Sequence, residues 1–298
     1  PITDVPVVLF GDHSCTVKFI EEPFLRGADG TVILKPKKDY IPKYYFYVVE
    51  YIVDKFLDKT KYERHNKYLQ ELYIPKPLTD IQRQIVVEME AVDNRIVALG
   101  LQIEQKENEI ETLLSLIHDN DDSLNTIAPF ATKSIKYGDI ESETYITTDN
   151  MLQNKLGVLP FYGVANISSI TEYKPEDILI SNIRPYLKKI WFADKDGGCS
   201  KDVLVLRSAD ANKYLPKYIF YMLRRDSFFD YVMEGKKGIK MPRGNKEDIM
   251  KYKIPMPNID KQKRIVAQIE ALELEITKAR TLIDNVASEK QAILDKYL

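Results

Sequence analysis

The 298-residue sequence predicts an α+β fold, in which two α/β modules are separated by a long antiparallel two-helix coiled coil. Three observations lead to this prediction. The chain repeats itself at an offset of 171 to 180 residues. Each copy of the repeat ends in a long segment with an apolar heptad seam. Short runs rich in β-branched and aromatic residues precede each of those segments and are typical of strands.

The repeat is clearest around two short proline motifs. Ile-Pro-Lys-Pro at 74–77 returns 180 residues later as Ile-Pro-Met-Pro at 254–257, and flanking residues match as well. The further pairs are Gln82 and Gln262, Ile85 and Ile265, Val86 and Val266, Tyr40–Tyr44 and Tyr214–Tyr218, and His13 and Arg184. The first copy lacks a counterpart to roughly 123–171, so its module is expected to miss about 49 N-terminal residues. Because the chain starts at Pro1 without methionine, we expect a processed piece or an excised fragment.

Both long segments are expected to be helices that pair with each other. Apolar residues recur every three or four positions, and one lysine interrupts each seam. Two matching seams in one chain favour intramolecular pairing, and the globular segment between them favours an antiparallel arrangement. Ile85 should then lie near Tyr297, and Ile117 near Ile265. The seams comprise Ile85, Met89, Val92, Ile96, Leu99, Ile103, Lys106, Ile110, Leu113 and Ile117, and then Ile265, Ile269, Leu272, Ile276, Ala279, Ile283, Val286, Lys290, Ile293 and Tyr297.

The remaining pattern fixes the expected elements and the division of the chain. Helices are predicted at Tyr40–Phe56 and Tyr214–Met233, each with an aromatic face that we expect to pack into a core. The predicted strands are Val7–Phe10, Thr31–Leu34, Asp177–Ser181, Lys189–Ala193 and Asp202–Arg207. The expected domains are a first module at 1–78, a first spacer helix at 79–120, a second module at 121–258 and a second spacer helix at 259–298.

Composition and motifs argue against several classes of protein. An apolar content of 44% with 30% charged residues is too apolar for a disordered chain. Two cysteines, expected as free thiols in a reducing cytoplasm, make neither a disulfide framework nor a zinc knuckle. No apolar run approaches the roughly 20 residues that span a bilayer. The three histidines lack metal-ligand spacing, and no phosphate-binding or cofactor-binding turn is present. We therefore expect no active site, no bound metal and no cofactor on this chain.

One stretch carries a nucleic-acid signal that the net charge of −2 conceals. Residues 123–258 contain 21 Lys/Arg against 16 Asp/Glu, a local balance of +5. Within them, 235–246 holds five cations, no acid and three glycines, which suits a loop that follows a phosphate backbone. The alternative is a solvated surface loop. The candidate contacts are Lys236, Lys237, Lys240, Arg243, Asn245 and Lys246, with Arg243 or Asn245 able to reach a base edge.

A second stretch and its counterpart in the first copy add further candidates. Residues 182–189 place cations and a tyrosine at a strand end, although a strand end with a lysine fringe is the alternative. The candidates there are Asn182, Arg184, Tyr186, Lys188 and Lys189. Those in the first copy are His13, Lys18, Lys59, Lys61, Arg64 and Lys67. Similar frames with different contact loops are what two readers of two DNA words would have.

The repeated pattern of an α+β module, Ile-Pro-x-Pro-x-x-x-x-Gln-x-x-Ile-Val and a long heptad helix resembles the specificity subunits of Type I restriction-modification systems. The resemblance implies two target recognition domains at opposite ends of an antiparallel helical pair, each reading half of an interrupted DNA sequence. It implies double-stranded DNA and methyltransferase subunits as partners, with restriction/translocase subunits bound indirectly. S-adenosylmethionine is then expected on the methyltransferase subunits, and the assembly is expected to be cytoplasmic and free of membrane.

Two alternatives remain at this point. The missing counterpart in the first module leaves open the specificity part of a fused methyltransferase–specificity polypeptide. A protein from another class, a coiled-coil protein-interaction scaffold with no DNA role, would share the modules and the helices. The basic glycine-containing loops favour the DNA reader, because a protein-binding scaffold does not need them.

Overall fold

The structure is a computed structural model that describes residues 1–27, 29–61, 63–163, 165, 167–238 and 240–298. The elements, in chain order, are β1 (Val7–Gly11), β2 (Val17–Ile20), β3 (Thr31–Leu34), α1 (Pro42–Phe56), α2 (Asn66–Leu69), α3 (Thr79–Ser115), β4 (Asp121–Ser123), α4 (Leu124–Ile127), β5 (Ser134–Lys136), β6 (Tyr145–Ile146), β7 (Ser169–Tyr173), β8 (Ile178–Ser181), β9 (Ile190–Phe192), β10 (Gly197–Cys199), β11 (Val203–Leu206), α5 (Pro216–Leu223), α6 (Asp226–Glu234), α7 (Lys246–Ile249), β12 (Lys253–Pro255), α8 (Ile259–Asp284) and α9 (Val286–Tyr297).

The chain divides into two compact units. Unit 1 consists of residues 1–105 and 275–298, and unit 2 consists of residues 106–274. Each unit therefore contains one part of α3 and one part of α8, together with its own sheet and core. Because most apolar side chains of a helix seam need a partner surface, each unit buries its share of both helices against its own module.

Unit 1 is built on a three-stranded antiparallel sheet in the order β2-β1-β3, on which α1 packs. Val8 on the central strand faces Phe19 on one side and Leu34 on the other. The aromatic residues of α1 contribute to the core as the sequence predicts, since Tyr44 and Tyr47 are fully buried. The same core holds Ile85 and Leu294, and Tyr297 packs against it.

Unit 2 contains a sheet of the same design. Its order is β11-β8-β9, so that β8 is central and antiparallel to both neighbours, as β1 is in unit 1. Two further sheets, β5-β7-β10-β6 and β12-β4, were not predicted from the sequence. Their strands have only two to five residues, too few for alternation to stand out.

Within each unit the two long helices pack against each other in opposite directions. In unit 1, Glu88 pairs with Lys296 (3.2 Å) while Arg95, farther along α3, pairs with Glu289, so the partner number falls as the position on α3 rises. In unit 2, Lys261 at the start of α8 pairs with Asp119, just beyond the end of α3 (2.7 Å). Ile117 and Ile265 share one core there, and Ile85 and Tyr297 meet in unit 1. These neighbours are those predicted from the seams.

The glutamine of the repeated motif links each module to its spacer helix through three hydrogen bonds. The buried Gln262 accepts one from the N–H of Leu215, the residue before α5 (2.8 Å), and donates to the carbonyls of Lys213 (2.9 Å) and Pro257 (2.7 Å). In unit 1 the equivalent partners of Gln82 are the N–H of Ile41 (2.8 Å) and the carbonyls of Asp39 (3.2 Å) and Pro77 (3.0 Å). The side chain thus satisfies an unpaired N–H at the start of the module helix, which explains its place in the motif.

Three helix boundaries differ from those predicted. The helix expected at Tyr214–Met233 is broken into α5 and α6, because Arg225 adopts an extended conformation and bonds Glu111 on α3 (2.7 Å). The second spacer is interrupted at Asn285, between α8 and α9. The first spacer helix ends at Ser115, five residues earlier than expected. Neither break is marked by glycine or proline, so nothing local in the sequence signals it.

Searches for membrane, metal and redox features cover the described residues alone. Among them, no helix combines the length and the apolarity that a membrane span requires. No group of three or more His, Cys, Asp or Glu residues in that part of the chain could hold a metal ion. Cys15 and Cys199 are free and buried, as predicted, and burial raises the pKa of the Cys199 thiol to about 12.

Candidate nucleic-acid interface

The two basic stretches that the sequence singles out in the second module are neighbours in unit 2. The N–H of Arg184 donates to the carbonyl of Pro242 (2.8 Å), and the N–H of Gly244 donates to the carbonyl of Asn182 (3.2 Å). Ile183 and Arg243 form an antiparallel bridge between these two hydrogen bonds. The turn after β8 and the loop before α7, about 60 residues apart in sequence, therefore form one surface. We call it the basic face and define it as residues 182–189 and 236–246.

The loop at 236–246 has a definite shape. Lys237 and Arg243 exchange both backbone hydrogen bonds (2.8 and 2.9 Å), which closes the loop at its base. Gly244 is required at the junction, because a Cβ there would lie 2.8 Å from Val232 and 2.9 Å from the side chain of Asn182. Ile239 lies outside the described residues. No ion pair is found, within the described part of the chain, for four exposed cations of the loop: Lys236, Lys237, Lys240 and Lys246.

The turn at 182–189 is backbone-strained and exposes two side chains. Arg184 and Lys188 both have positive φ (51°) and flank a short 3-10 turn, Pro185–Leu187. Left-handed conformations of residues other than glycine are costly and occur often at functional sites. The side chains of Arg184 and Tyr186 are exposed, the latter at 48%. A guanidinium and an aromatic ring thus stand beside the cationic loop.

Other predicted contact residues are engaged within the protein. Asn182 is 7% exposed, and its Oδ1 has no hydrogen-bond partner. The ammonium of Lys189 donates to the carbonyl of Thr148 (2.5 Å), and burial lowers its pKa. Asn245 caps α7, since its Oδ1 accepts from the N–H of Glu247 (3.3 Å). The sequence-based assignment of Asn245 to a base edge therefore overlooked a capping role that it already fills.

Two acids at the basic face were not predicted as functional. Asp202 lies 3.4 Å from Nη2 of Arg243, and its carbonyl accepts from the N–H of Asn182 (2.8 Å). Asp226, at the start of α6, pairs with Lys188 (2.9 Å) and with Lys155 (2.5 Å). Both lysines lower the pKa of Asp226 against the opposing effect of burial. No local sequence signal identifies either acid, because each pair joins segments far apart in the chain.

A buried ion pair holds the strands that carry this face. Asp177 precedes β8 and is 1% exposed. Its carboxylate accepts two hydrogen bonds from Arg207, at the end of β11, with Nε at 2.8 Å and Nη2 at 2.6 Å. It also accepts from the N–H of Lys174 (2.8 Å). Such two-point pairing is directional and fixes β8 and β11, whose other ends lead to Asn182 and Asp202.

Unit 1 contains a similar meeting of segments with a different charge pattern. The turn after β1 contacts the residues before α2, since the carbonyl of Asp12 accepts from His65 N–H (2.9 Å) and its carboxylate from Asn66 N–H (2.7 Å). His13 Nδ1 lies 3.1 Å from the carbonyl of Glu63. Lys18 is exposed on β2, and Tyr62 lies outside the described residues. The other predicted cations all have acidic partners: Lys59 with Asp54, Lys61 with Asp58, Arg64 with Asp12 and Lys67 with Glu63.

A comparison with protein families decides the classification. The model of the Type I restriction modification DNA specificity domain matches residues 126–285, more than half of the chain. The chain belongs to this family. The matched range contains both segments of the basic face and α8. The site in unit 1 lies outside it.

Individual relatives agree with this specificity-domain assignment. The Type I restriction enzyme EcoDI specificity subunit of Escherichia coli is 28% identical over 132 residues, a match that spans 42% of this chain and 28% of that relative. The S subunit of a Type-I restriction-modification system from M. genitalium has a similar fold, with a TM-score of 0.55, 14% identity and coverage of 100% of this chain and 84% of that one. A chain from a structure describing complex assembly of the type I R-M system gives 0.56, 16%, 98% and 81%.

Proposed function

We propose that this specificity-domain protein is the DNA-reading subunit of a Type I restriction-modification complex and recognises a bipartite, interrupted sequence. The observation that carries the proposal is the basic face, where two separately identified cationic segments meet on one exposed surface. A surface with several unpaired lysines around two arginines attracts the phosphate backbone and can also reach base edges. Family membership adds a DNA specificity domain to this chemistry.

The positions of the side chains suggest a division of labour on the basic face. Lys236, Lys237 and Lys240 are exposed and suit phosphate contacts, which position the protein without reading sequence. Arg184 and Arg243 lie beside each other at the strand end and suit guanine, whose O6 and N7 accept two hydrogen bonds from one guanidinium. Asn182, Lys189 and Asn245 support the two segments from within.

The domain plan follows the sequence prediction and remains a proposal. Target recognition domains occupy 1–78 and 121–258, and the spacer helices 79–120 and 259–298 form a continuous antiparallel coiled coil between them. The antiparallel packing in each unit supports this plan, as does a heptad pattern that persists through 85–117 and 265–297. A spacer of fixed length would act as a ruler and set the number of unread base pairs between the two half-sites.

Catalysis is assigned to partner subunits. Methyltransferase subunits would dock on this chain and bring S-adenosylmethionine, while restriction/translocase subunits would join through them. The chain itself would bind no cofactor and catalyse no reaction, in agreement with a sequence that contains none of the usual catalytic motifs. A cytoplasmic location is proposed because the substrate is chromosomal DNA.

Replacing single cations of the loop distinguishes the two kinds of contact. Lys237→Ala should weaken binding to the target and to a scrambled duplex equally and reduce the salt slope by about 0.9. Arg243→Ala should reduce the preference for the target by ~1–3 kcal/mol. The measurement is fluorescence anisotropy at two salt concentrations, with a target taken from the methylated motif of the source genome.

Lys213→Ala is the matched control, because Lys213 is exposed and its carbonyl is held at α8 by Gln262. It should bind both duplexes as the unmodified chain does. A loop variant lacking Lys236, Lys237, Lys240 and Lys246 that still binds its target normally would refute the basic face. A protein-interaction scaffold, the alternative, predicts no preference between duplexes for any of these proteins.

A further inference from the structure

The basic face contains an acid where affinity for DNA alone would exclude one. Asp202 precedes β11 and lies beside Arg243, with side chains 45% and 51% exposed. A carboxylate at this place repels phosphates, and unit charges a few ångströms apart interact by roughly 1 kcal/mol even in water. Asp202 therefore weakens binding to any duplex, and its benefit must lie elsewhere.

The carboxylate is not required to hold the strand in place. Asp202 is tied to the turn after β8 by its backbone carbonyl, which accepts the N–H of Asn182 at 2.8 Å. Among the described residues, the carboxylate contacts the Arg243 guanidinium alone. The backbone of Arg243 is itself fixed by Lys237 and Ile183. What stays free is the direction of the Arg243 side chain, and Asp202 is the group that restricts it.

We propose that Asp202 is a positioning residue for sequence discrimination, which holds the Arg243 guanidinium for guanine and away from the phosphate backbone. A guanidinium has five N–H donors, so one edge can engage a carboxylate while another pairs with O6 and N7 of guanine. Without the carboxylate, the flexible side chain is free to form a sequence-independent phosphate contact. This inference rests on the proposed DNA-reading function and assigns specificity within it to one acid–arginine pair.

Asp202→Asn tests the proposal, because asparagine keeps the size of the side chain and leaves the backbone hydrogen bond in place. We expect it to bind a scrambled duplex about five-fold more tightly, from the charge removed. The ratio of target to scrambled affinity should fall about ten-fold or more, from the loss of a held guanine contact. Asp210→Asn is the control, since Asp210 is also exposed but lies three residues from Lys213, at the α8 end of unit 2. It should change neither value.

A double-mutant cycle separates positioning from direct reading. Asp202→Asn, Arg243→Ala and the double variant are titrated by anisotropy, as the full 298-residue chain, against target and scrambled duplexes. If Asp202 acts through Arg243, the double variant discriminates no worse than Arg243→Ala alone. Additive losses would mean that Asp202 contacts a base itself, for example a cytosine amino group, and would overturn the positioning role.

The remaining outcomes are also decisive. An Asp202→Asn variant that discriminates as well as the unmodified chain refutes this inference and leaves the proposed function intact. An unmodified chain that binds target and scrambled duplexes alike refutes the proposed function, and this inference with it.

Discussion

Replacing Gln262 by leucine should lower the free energy of unfolding of unit 2 by about 3 kcal/mol or more. Gln262 is fully buried, and leucine has a similar size but no polar atoms. The substitution leaves the N–H of Leu215 and the carbonyls of Lys213 and Pro257 without their partner. Each buried group left unsatisfied costs ~1–3 kcal/mol, and the apolar side chain recovers part of the loss.

Urea unfolding followed by tryptophan fluorescence measures this change, because Trp191 in unit 2 is the one tryptophan of the chain. Gln153→Leu provides the control. Gln153 is an exposed amide in the same unit, and surface changes of this kind usually stay within about 0.5 kcal/mol. A loss below 1 kcal/mol for Gln262→Leu would show that the glutamine is not what holds the module helix to its spacer.

Arg207→Met should destabilise unit 2 by about 3 kcal/mol. Removing one partner of a buried ion pair strands the other charge and costs ~3–5 kcal/mol, and the lower end applies here because Arg207 is 37% exposed. Asp177, 2% exposed, would keep the N–H of Lys174 as its hydrogen-bond donor. The same fluorescence-detected unfolding measures the effect.

Two further variants test the reason for that loss. Lys251→Met removes an exposed pair with Asp248 and should cost less than 1 kcal/mol. Arg207→Met combined with Asp177→Leu removes both charges and should be more stable than Arg207→Met alone. If the double variant is the less stable of the two, the cost arises from packing and not from a stranded carboxylate.

The sequence was sufficient where a pattern repeats within one chain. The matched glutamines, the aromatic faces of α1 and α5 and the neighbours Ile85 and Tyr297 were all accessible, because regular spacing reports which face of a helix is buried. The helix breaks at Arg225 and Asn285 were not accessible. They depend on tertiary contacts such as the Arg225–Glu111 pair, and neither position carries a glycine or proline.

The candidate site was predicted in its parts but not as a whole. Charge and glycine content identified the loop at 236–246, yet nothing in the sequence reports that Arg184 bonds Pro242. For the same reason Asp202 was overlooked, and the cations around His13 gave no sign of the acids that accompany them. Asp54 and Asp12 lie outside the run at 59–67, so that their ion pairs could be found only in three dimensions.

The most direct test of the account is the affinity of the unmodified chain for two duplexes at physiological salt. One carries the bipartite motif found methylated in the source genome, and the other has the same base composition in scrambled order. Fluorescence anisotropy should give a preference of about 1,000-fold or more for the motif, because specific readers exceed their non-specific binding by ~10³–10⁷. Equal affinity for the two duplexes, or no binding to either, would contradict the assignment of this protein as a reader of DNA sequence.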